Sequence, residues 1–321
     1  MKTVKILLIS CFSLLSFFTA AKPIYYRVDL KEFENKFANK EAHILKQLKN
    51  VKILLVPGLA TDLTEKTGQI TGYLHLTRAE GFLAPFHQQK IWLKSQGIDF
   101  EMVNINRVGG CQENAKTISN AIEKSTKPVV LITQSKGGID TLHALVKNKK
   151  LHSKIVRWLA YQPPVLGTPL ADLVNEYKLL SLPTDGLINL LEGTPFTYKD
   201  MTTTYRENYF QLYENDILEI TKKIPTTVLV TFEEERDLST YLTTAPEKNP
   251  FLSPLVKVIH LETRESNDGI ALMRGTCLPG AKCFIKGGID HFAAVMDTYP
   301  FKGITPIERL RLMQFLLYHT L

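Results

Sequence analysis

Residues 128–140 read PVVLITQSKGGID, and the shape of that stretch governs the reading of the whole chain. Val129 to Ile132 form an apolar, largely β-branched run suited to a buried strand. The run gives way to Ser135, Gly137 and Gly138 follow, and Ile139, Leu142 and Leu145 recur at helical spacing. A strand that becomes a helix within one residue leaves that residue at a strained corner. Its side chain stands above the sheet beside a helix N-terminus, where developing negative charge is favoured. A serine there is presented as a nucleophile. Gly137 meets the need for a small residue where strand and helix backbones pass close together. Thr133 stands where a second glycine is usual, so the pattern is a relaxed small-x-Ser-x-Gly.

The chain has 321 residues and 44% hydrophobic content, ample for one large core. It begins Met-Lys-Thr-Val-Lys, runs apolar from Ile6 to Phe18, and places Thr19 and Ala21 just before Lys22. That is the pattern of a secretory signal, so residues 1–21 are expected to be removed and the product to be periplasmic or secreted. The apolar run is short for a bilayer span. Leu8-Ile9-Ser10-Cys11 loosely matches a lipoprotein signal but would leave a very short hydrophobic segment. Removing residues 1–21 takes away Lys2 and Lys5 and no acid, so the net charge falls from +7 to +5. A mildly basic surface of this kind permits transient contact with anionic lipid. There is no basic run with interleaved aromatics, so no nucleic-acid partner is expected; the oligomeric state is not legible. Three cysteines remain after residue 21. Cys277 and Cys283 bracket Leu-Pro-Gly-Ala-Lys, a turn that brings two Cα atoms into disulfide range, and export permits the bond. Cys111 is left over, as a free thiol or a competitor for either partner.

In chain order, residues 22–50 are mixed and charged, partly helical. Val51–Val56 reads as the first buried strand, ending in the turn PGLATD at 57–62. A helix is expected from about Phe82 to Ser95, a strand over Ile98–Ile105, and a helix carrying Ala115, Ile118 and Ile122. After the opening stretch, Ile155–Tyr161, Thr226–Phe232 and 281–285 read as strands, and Val256–Leu261 as a strand or side hairpin. The closing helix starts at the capping box Thr305-Pro-Ile-Glu308, with Ile307, Leu310, Met313 and Leu317 directed inward. Alternating strands and helices imply an α/β fold, a mostly parallel sheet with helices on both faces. Residues 22–321 form a single domain on this reading. Between 173 and 224 the alternation lapses into apolar patches (Leu179-Leu180, Leu187–Leu191) and tyrosines. This is read as a helical cap over a site, the alternative being helices packed on the sheet.

A serine nucleophile needs a base, and the base an acid that holds its tautomer. In folds with a serine at such a corner the chain order is serine, acid, histidine. His43, His75 and His87 precede Ser135, and His143 lies on its own helix. His152, His260 and His319 fall beside or within regular elements. His291 stands in the Gly-rich loop GGIDHF, after the last expected strand and before the final helix. Asp268, in the Asn-Asp-Gly turn of ESNDGI, is the expected acid; Asp237, after the Thr226–Phe232 strand, is the alternative. No HExxH or paired CxxC spacing is present, and no metal or organic cofactor is expected.

The combination of VPGL, TQSKGGID, LGTPLAD, NDGI and CLPGA followed by GIDH, in this order from Val51 to the C-terminus, resembles bacterial secreted triacylglycerol lipases and related α/β-hydrolases. The resemblance implies the α/β-hydrolase fold and a serine hydrolase of carboxylic esters, lipid esters foremost. It implies Ser135, Asp268 and His291 as the catalytic residues, with the oxyanion held by the main-chain N–H groups of Leu59 and Lys136. Two departures stand out: Pro57-Gly58 replaces the family's usual His-Gly, and Thr133-Gln134-Ser135 its Gly-His-Ser. They leave open an inactive relative that binds acyl ligands or a surface partner.

Overall fold

In the computed structural model of the chain, residues 23–37, 40–58, 85–106, 109–177, 199–233, 252–296 and 304–320 are described. The opening stretch is strand β4 (Val129–Gln134), every residue of it buried. Successive side chains of a strand point to opposite faces. Val129 and Leu131 therefore enter one core, while Val130 and Ile132 enter the other. A strand covered on both faces reads as a continuous apolar run, which is why VVLI carries no polar alternation.

The other strands are β1 (Tyr25–Arg27), β2 (Lys52–Val56), β3 (Phe100–Met102), β5 (Ile155–Tyr161), β6 (Thr226–Phe232) and β7 (Lys282–Gly287). They form one seven-stranded sheet in the order β1-β7-β6-β5-β4-β2-β3. All six pairings are parallel. One face is covered by α1 (Leu30–Phe37), α2 (Glu41–Lys49), α3 (His87–Ser95) and the closing helix; the other by α4 (Cys111–Lys124), α5 (Lys136–Lys147) and a long helix, Thr203–Lys223. Shorter α6 (Pro169–Tyr177) precedes that long helix, α7 (Thr203–Lys223), in the chain; α8 (Leu252–Thr263) and α9 (Pro306–Thr320) follow it.

Three expectations change. Edge strand β1 carries no sequence signal, being three residues with two exposed. Val256–Leu261 is not a strand but part of α8. Its buried Leu252, Leu255, Val256 and Ile259 recur at three- and four-residue steps, and a six-residue apolar window is too short to separate that period from a strand's. In α9 the capping box forms, Glu308 N–H to Thr305 Oγ1 at 3.1 Å and Thr305 N–H to Glu308 Oε2 at 2.9 Å. Ile307, however, is 69% exposed. The inward position of that turn belongs to Arg309, fully buried, whose guanidinium donates to the Ala293 and Ile304 carbonyls.

Within the segment expected to be a cap, residues 178–198 lie outside the described residues, so the apolar patches there are not placed. Helix α7 is placed, and it packs on the sheet: Ile217 and Ile220 are fully buried in the core that holds Val228 and Val230 of β6. Its first turns bring Arg206 against α5. The Arg206 guanidinium donates to the Val165 carbonyl at 3.0 Å, contacts His143 Nε2 at 3.0 Å and lies over the Tyr209 ring. His143 stacks on Tyr209 with centroids 4.0 Å apart. Cys277 and Cys283 form the expected disulfide, with Cα atoms 6.0 Å apart. Cys111 is a buried free thiol. No described helix is long and apolar enough to cross a membrane. Residues 1–21 lie outside the described residues.

Burial first, then the Arg206, Lys136 and Lys147 charges, hold the His143 imidazole down at about 3. A base whose folded pKa is depressed binds its proton more readily unfolded. Its contribution is therefore complete above the unfolded value of about 6.5 and is lost as pH falls toward 3. At about 1.4 kcal/mol per unit this is worth on the order of 3–5 kcal/mol across that window. Urea unfolding of His143→Gln, which keeps an acceptor for Arg206 but does not titrate, should show a visibly flatter loss of stability between pH 6.5 and 4 than the native chain.

Candidate active site

The corner is set by close backbone packing between β2 and the start of α5. Ser135 has φ 52° and ψ −128°, a conformation that side chains rarely adopt and that costs on the order of 1–3 kcal/mol. It is held by two main-chain bonds, Ser135 N–H to the Tyr161 carbonyl at 2.8 Å and Gly138 N–H to the Ser135 carbonyl at 2.9 Å. A Cβ on Gly137 would come within 2.3 Å of the Pro57 carbonyl oxygen and 2.6 Å of that of Val56. The helix thus starts against the end of β2, and glycine is required there.

Thr133 is accommodated. Its buried Oγ1 accepts the indole N–H of Trp158 at 3.0 Å, from the neighbouring strand. Trp158 is fully buried, so glycine at position 133 would leave that donor without this acceptor. Gln134 takes up two loops at once. Its Oε1 accepts Gly58 N–H at 3.1 Å, and its Nε2 donates to the His291 carbonyl at 3.4 Å.

The three residues read as nucleophile, base and acid meet. His291 Nε2 lies 2.7 Å from Ser135 Oγ, and His291 Nδ1 lies 2.9 Å from Asp268 Oδ2. Ser135 is 4% exposed, Asp268 1% and His291 not at all. Asp268 is locked by its own turn. Asp268 Oδ1 accepts the Ile270 and Ala271 N–H groups at 3.1 and 2.8 Å, while Oδ2 also accepts the Thr231 hydroxyl at 3.1 Å. Gly269 supplies the left-handed residue of this turn at φ 95°. Asn267 anchors the turn to α8 by donating to the Val256 carbonyl at 3.1 Å. His291 N–H donates to the Asp268 carbonyl at 3.0 Å, joining the two loops through main chain as well. Asp290 caps the next turn, its Oδ1 accepting Phe292 and Ala293 N–H. Such a chain can take a proton from serine and return it to a leaving group.

Lys136 follows the serine as the first residue of α5. Its side chain turns inward, 1% exposed, with Nζ 2.8 Å from both oxygens of fully buried Asp140. Asn114 donates to the same carboxylate at 2.8 Å. Burial raises the Asp140 carboxyl above its ordinary value, against the pull of Lys136. With its ammonium committed, what Lys136 has to offer a substrate is its main-chain N–H. Burial, and then the Asp140 charge, push the Cys111 thiol well up, away from nucleophilic chemistry. Leu59 and Asp237 lie outside the described residues. Among the described residues His291 is the histidine bonded to Ser135, and no group of three or more His, Cys, Asp or Glu side chains is arranged to hold a metal ion. Sequence reasoning overlooked Thr231 and the bridging role of Gln134, since neither sits in a pattern that announces its partner.

No family model and no curated protein sequence matches the chain. Among solved structures it is similar to a metagenomic carboxyl esterase, at 18% identity and TM-score 0.60, over 85% of this chain and 76% of that one. It is similar also to the mature form of a lipase from Bacillus licheniformis, at 20% identity and TM-score 0.53, over 76% of this chain and 86% of that one. With the parallel sheet flanked by helices on both faces, these likenesses establish an α/β-hydrolase fold.

The Lys136–Asp140 pair makes a sharp test of burial. Removing one partner from a buried ion pair costs about 3–5 kcal/mol, whereas replacing both by apolar groups is far milder. Denaturant titration should find Asp140→Leu strongly destabilised and Lys136→Met/Asp140→Leu recovering most of that loss.

Proposed function

We propose that the chain is an exported serine hydrolase of carboxylic esters, lipid esters foremost. The observation that carries this is the buried hydrogen-bonded series Asp268–His291–Ser135, at 2.9 and 2.7 Å, with serine in a strained turn ahead of a helix. Ser135 Oγ attacks the ester carbonyl as His291 Nε2 takes its proton, and Asp268 holds the imidazole tautomer and stabilises the imidazolium. The main-chain N–H groups of Leu59 and Lys136 receive the oxyanion, worth about 3–4 kcal/mol per donor in comparable sites. His291 then protonates the departing alcohol, and water releases the acyl-enzyme by the same steps in reverse order. The ester class is supported by the fold shared with a carboxyl esterase and a lipase. The lipid preference is supported by the apolar sequence at Leu179-Leu180 and Leu187–Leu191 together with the mildly basic mature chain.

Hydrolysis of p-nitrophenyl esters of increasing chain length tests this directly. The mature protein should prefer medium or long acyl chains. Ser135→Ala should lose at least about a thousandfold in kcat, and Asp268→Asn a comparable amount, with Asp237→Asn near native. A native protein without turnover favours the acyl-binding alternative; a preference for acetate keeps an esterase and removes the lipase. Export and cleavage predict that the secreted protein begins at Lys22, checked by N-terminal sequencing of the protein recovered outside the cytoplasm.

A further inference from the structure

We infer that Thr231 and Gln162 are positioning residues that fix the direction of the Asp268 carboxylate and the His291 loop from beneath. The inference rests on the serine hydrolase reading. Gln162, directly after β5, is fully buried and has φ 51°. A left-handed non-glycine residue is uncommon, and such strain persists where surrounding contacts over-determine it. Its main-chain N–H bonds the Leu229 carbonyl at 2.9 Å, and its side chain is thereby aimed across the ends of β6 and β7.

The Gln162 amide Nε2 donates twice, to Thr231 Oγ1 and, at 3.0 Å, to the carbonyl of Asp290, the residue before His291. The orientation of the amide follows from its partners. Flipped, Oε1 would face the Asp290 carbonyl oxygen, acceptor against acceptor. With Nε2 donating, Thr231 Oγ1 is an acceptor toward Gln162, and its single proton points at Asp268 Oδ2, 3.1 Å away. That is the same oxygen that His291 Nδ1 bonds. Thr231, 2% exposed, thus shares this carboxylate oxygen with the imidazole and keeps it from rotating. One side chain just past the end of β5 therefore holds the acid through Thr231 and the base through the main chain beside it.

A donor on a carboxylate also spreads its charge and so tempers its hold on an imidazolium. Removing the Thr231 hydroxyl should both loosen the geometry and leave Asp268 a stronger partner for protonated His291. On a soluble p-nitrophenyl ester, Thr231→Val should lower kcat by about 10- to 100-fold with KM little changed. The acidic limb of its pH–rate profile should move to higher pH. Thr231→Ser, which restores the hydroxyl, should recover both. Gln162→Met should act in the same direction, and the double variant should lose less than the product of the two singles, since both act on one chain of bonds. Thermal melts accompany each variant. If kcat follows melting temperature alone, with the limb unmoved and serine giving no rescue, the residues are structural and the inference fails. NMR titration of His291 in a Ser135→Ala background separates this from the function itself. A titration shifted upward by Thr231→Val, where the native Ser135 chain shows no ester turnover, upholds the positioning role and removes the hydrolase reading. An unshifted titration in an active enzyme removes the positioning role and leaves the reading intact.

Discussion

The constraint on which this site depends is the contact between the start of α5 and the end of β2. With a Cβ at position 137 the helix could not begin where it does, because the carbonyls of Val56 and Pro57 already occupy that space. The missing side chain lets β4 turn at Ser135, sets the serine at the carboxyl edge of the sheet and brings the Pro57-Gly58 turn beside it. A Cβ on Gly58 would in turn press to 2.7 Å from that of Ser135. Two glycines, one just after β2 and one in the first turn of α5, thus leave the space in which Ser135 stands. The strain at Ser135 is offset by the sheet and helix bonds that continue on either side of it.

Sheet order then does the assembly. β4, β5, β6 and β7 lie side by side, and the residues at or just beyond their carboxyl ends are Ser135, Gln162, Thr231 and, after a short loop, His291. Serine and histidine belong to strands separated by two others. The gap between them is filled by polar side chains from those two strands, Gln162 and Thr231, so the site is a continuous row of hydrogen bonds and not an isolated trio. Because the strands are parallel, all four ends point the same way, and each loop can add one group to the row.

The interior tolerates other charges on the same terms. Lys136 with Asp140 and Asn114, Arg206 with His143 and the Val165 carbonyl, and Arg309 with two main-chain carbonyls each bury a charge with directed partners. These groups sit at helix junctions: α4 to α5, α5 to α7, and α9 to the loop after His291. Apolar packing alone leaves helices free to slide by small amounts, whereas a buried donor has few acceptable registers. The helix that follows Ser135 is pinned in this way near its start, by Lys136 and Asp140.

Taken alone, the amino-acid sequence determined the features whose causes are local. Strand, corner and helix at 128–147, the Asn-Asp-Gly turn of Asp268, the Gly-rich loop of His291, the Cys277–Cys283 turn and the capping box at Thr305 each follow from neighbours a few residues apart. Where local signal ran short the reading slipped, as at 256–261, where six apolar residues fit either period, and at Ile307, whose inward place a buried arginine holds. Only the tertiary structure decided which polar side chains serve the site. Thr231 reaches Asp268 across 37 residues of chain, Gln162 reaches Thr231 across 69, and Gln134 reaches Gly58 across 76. At each of these positions a threonine or glutamine near a strand end is ordinary in sequence. Its role comes from the parallel sheet, which sets distant strand ends side by side and brings each buried donor within reach of its partners.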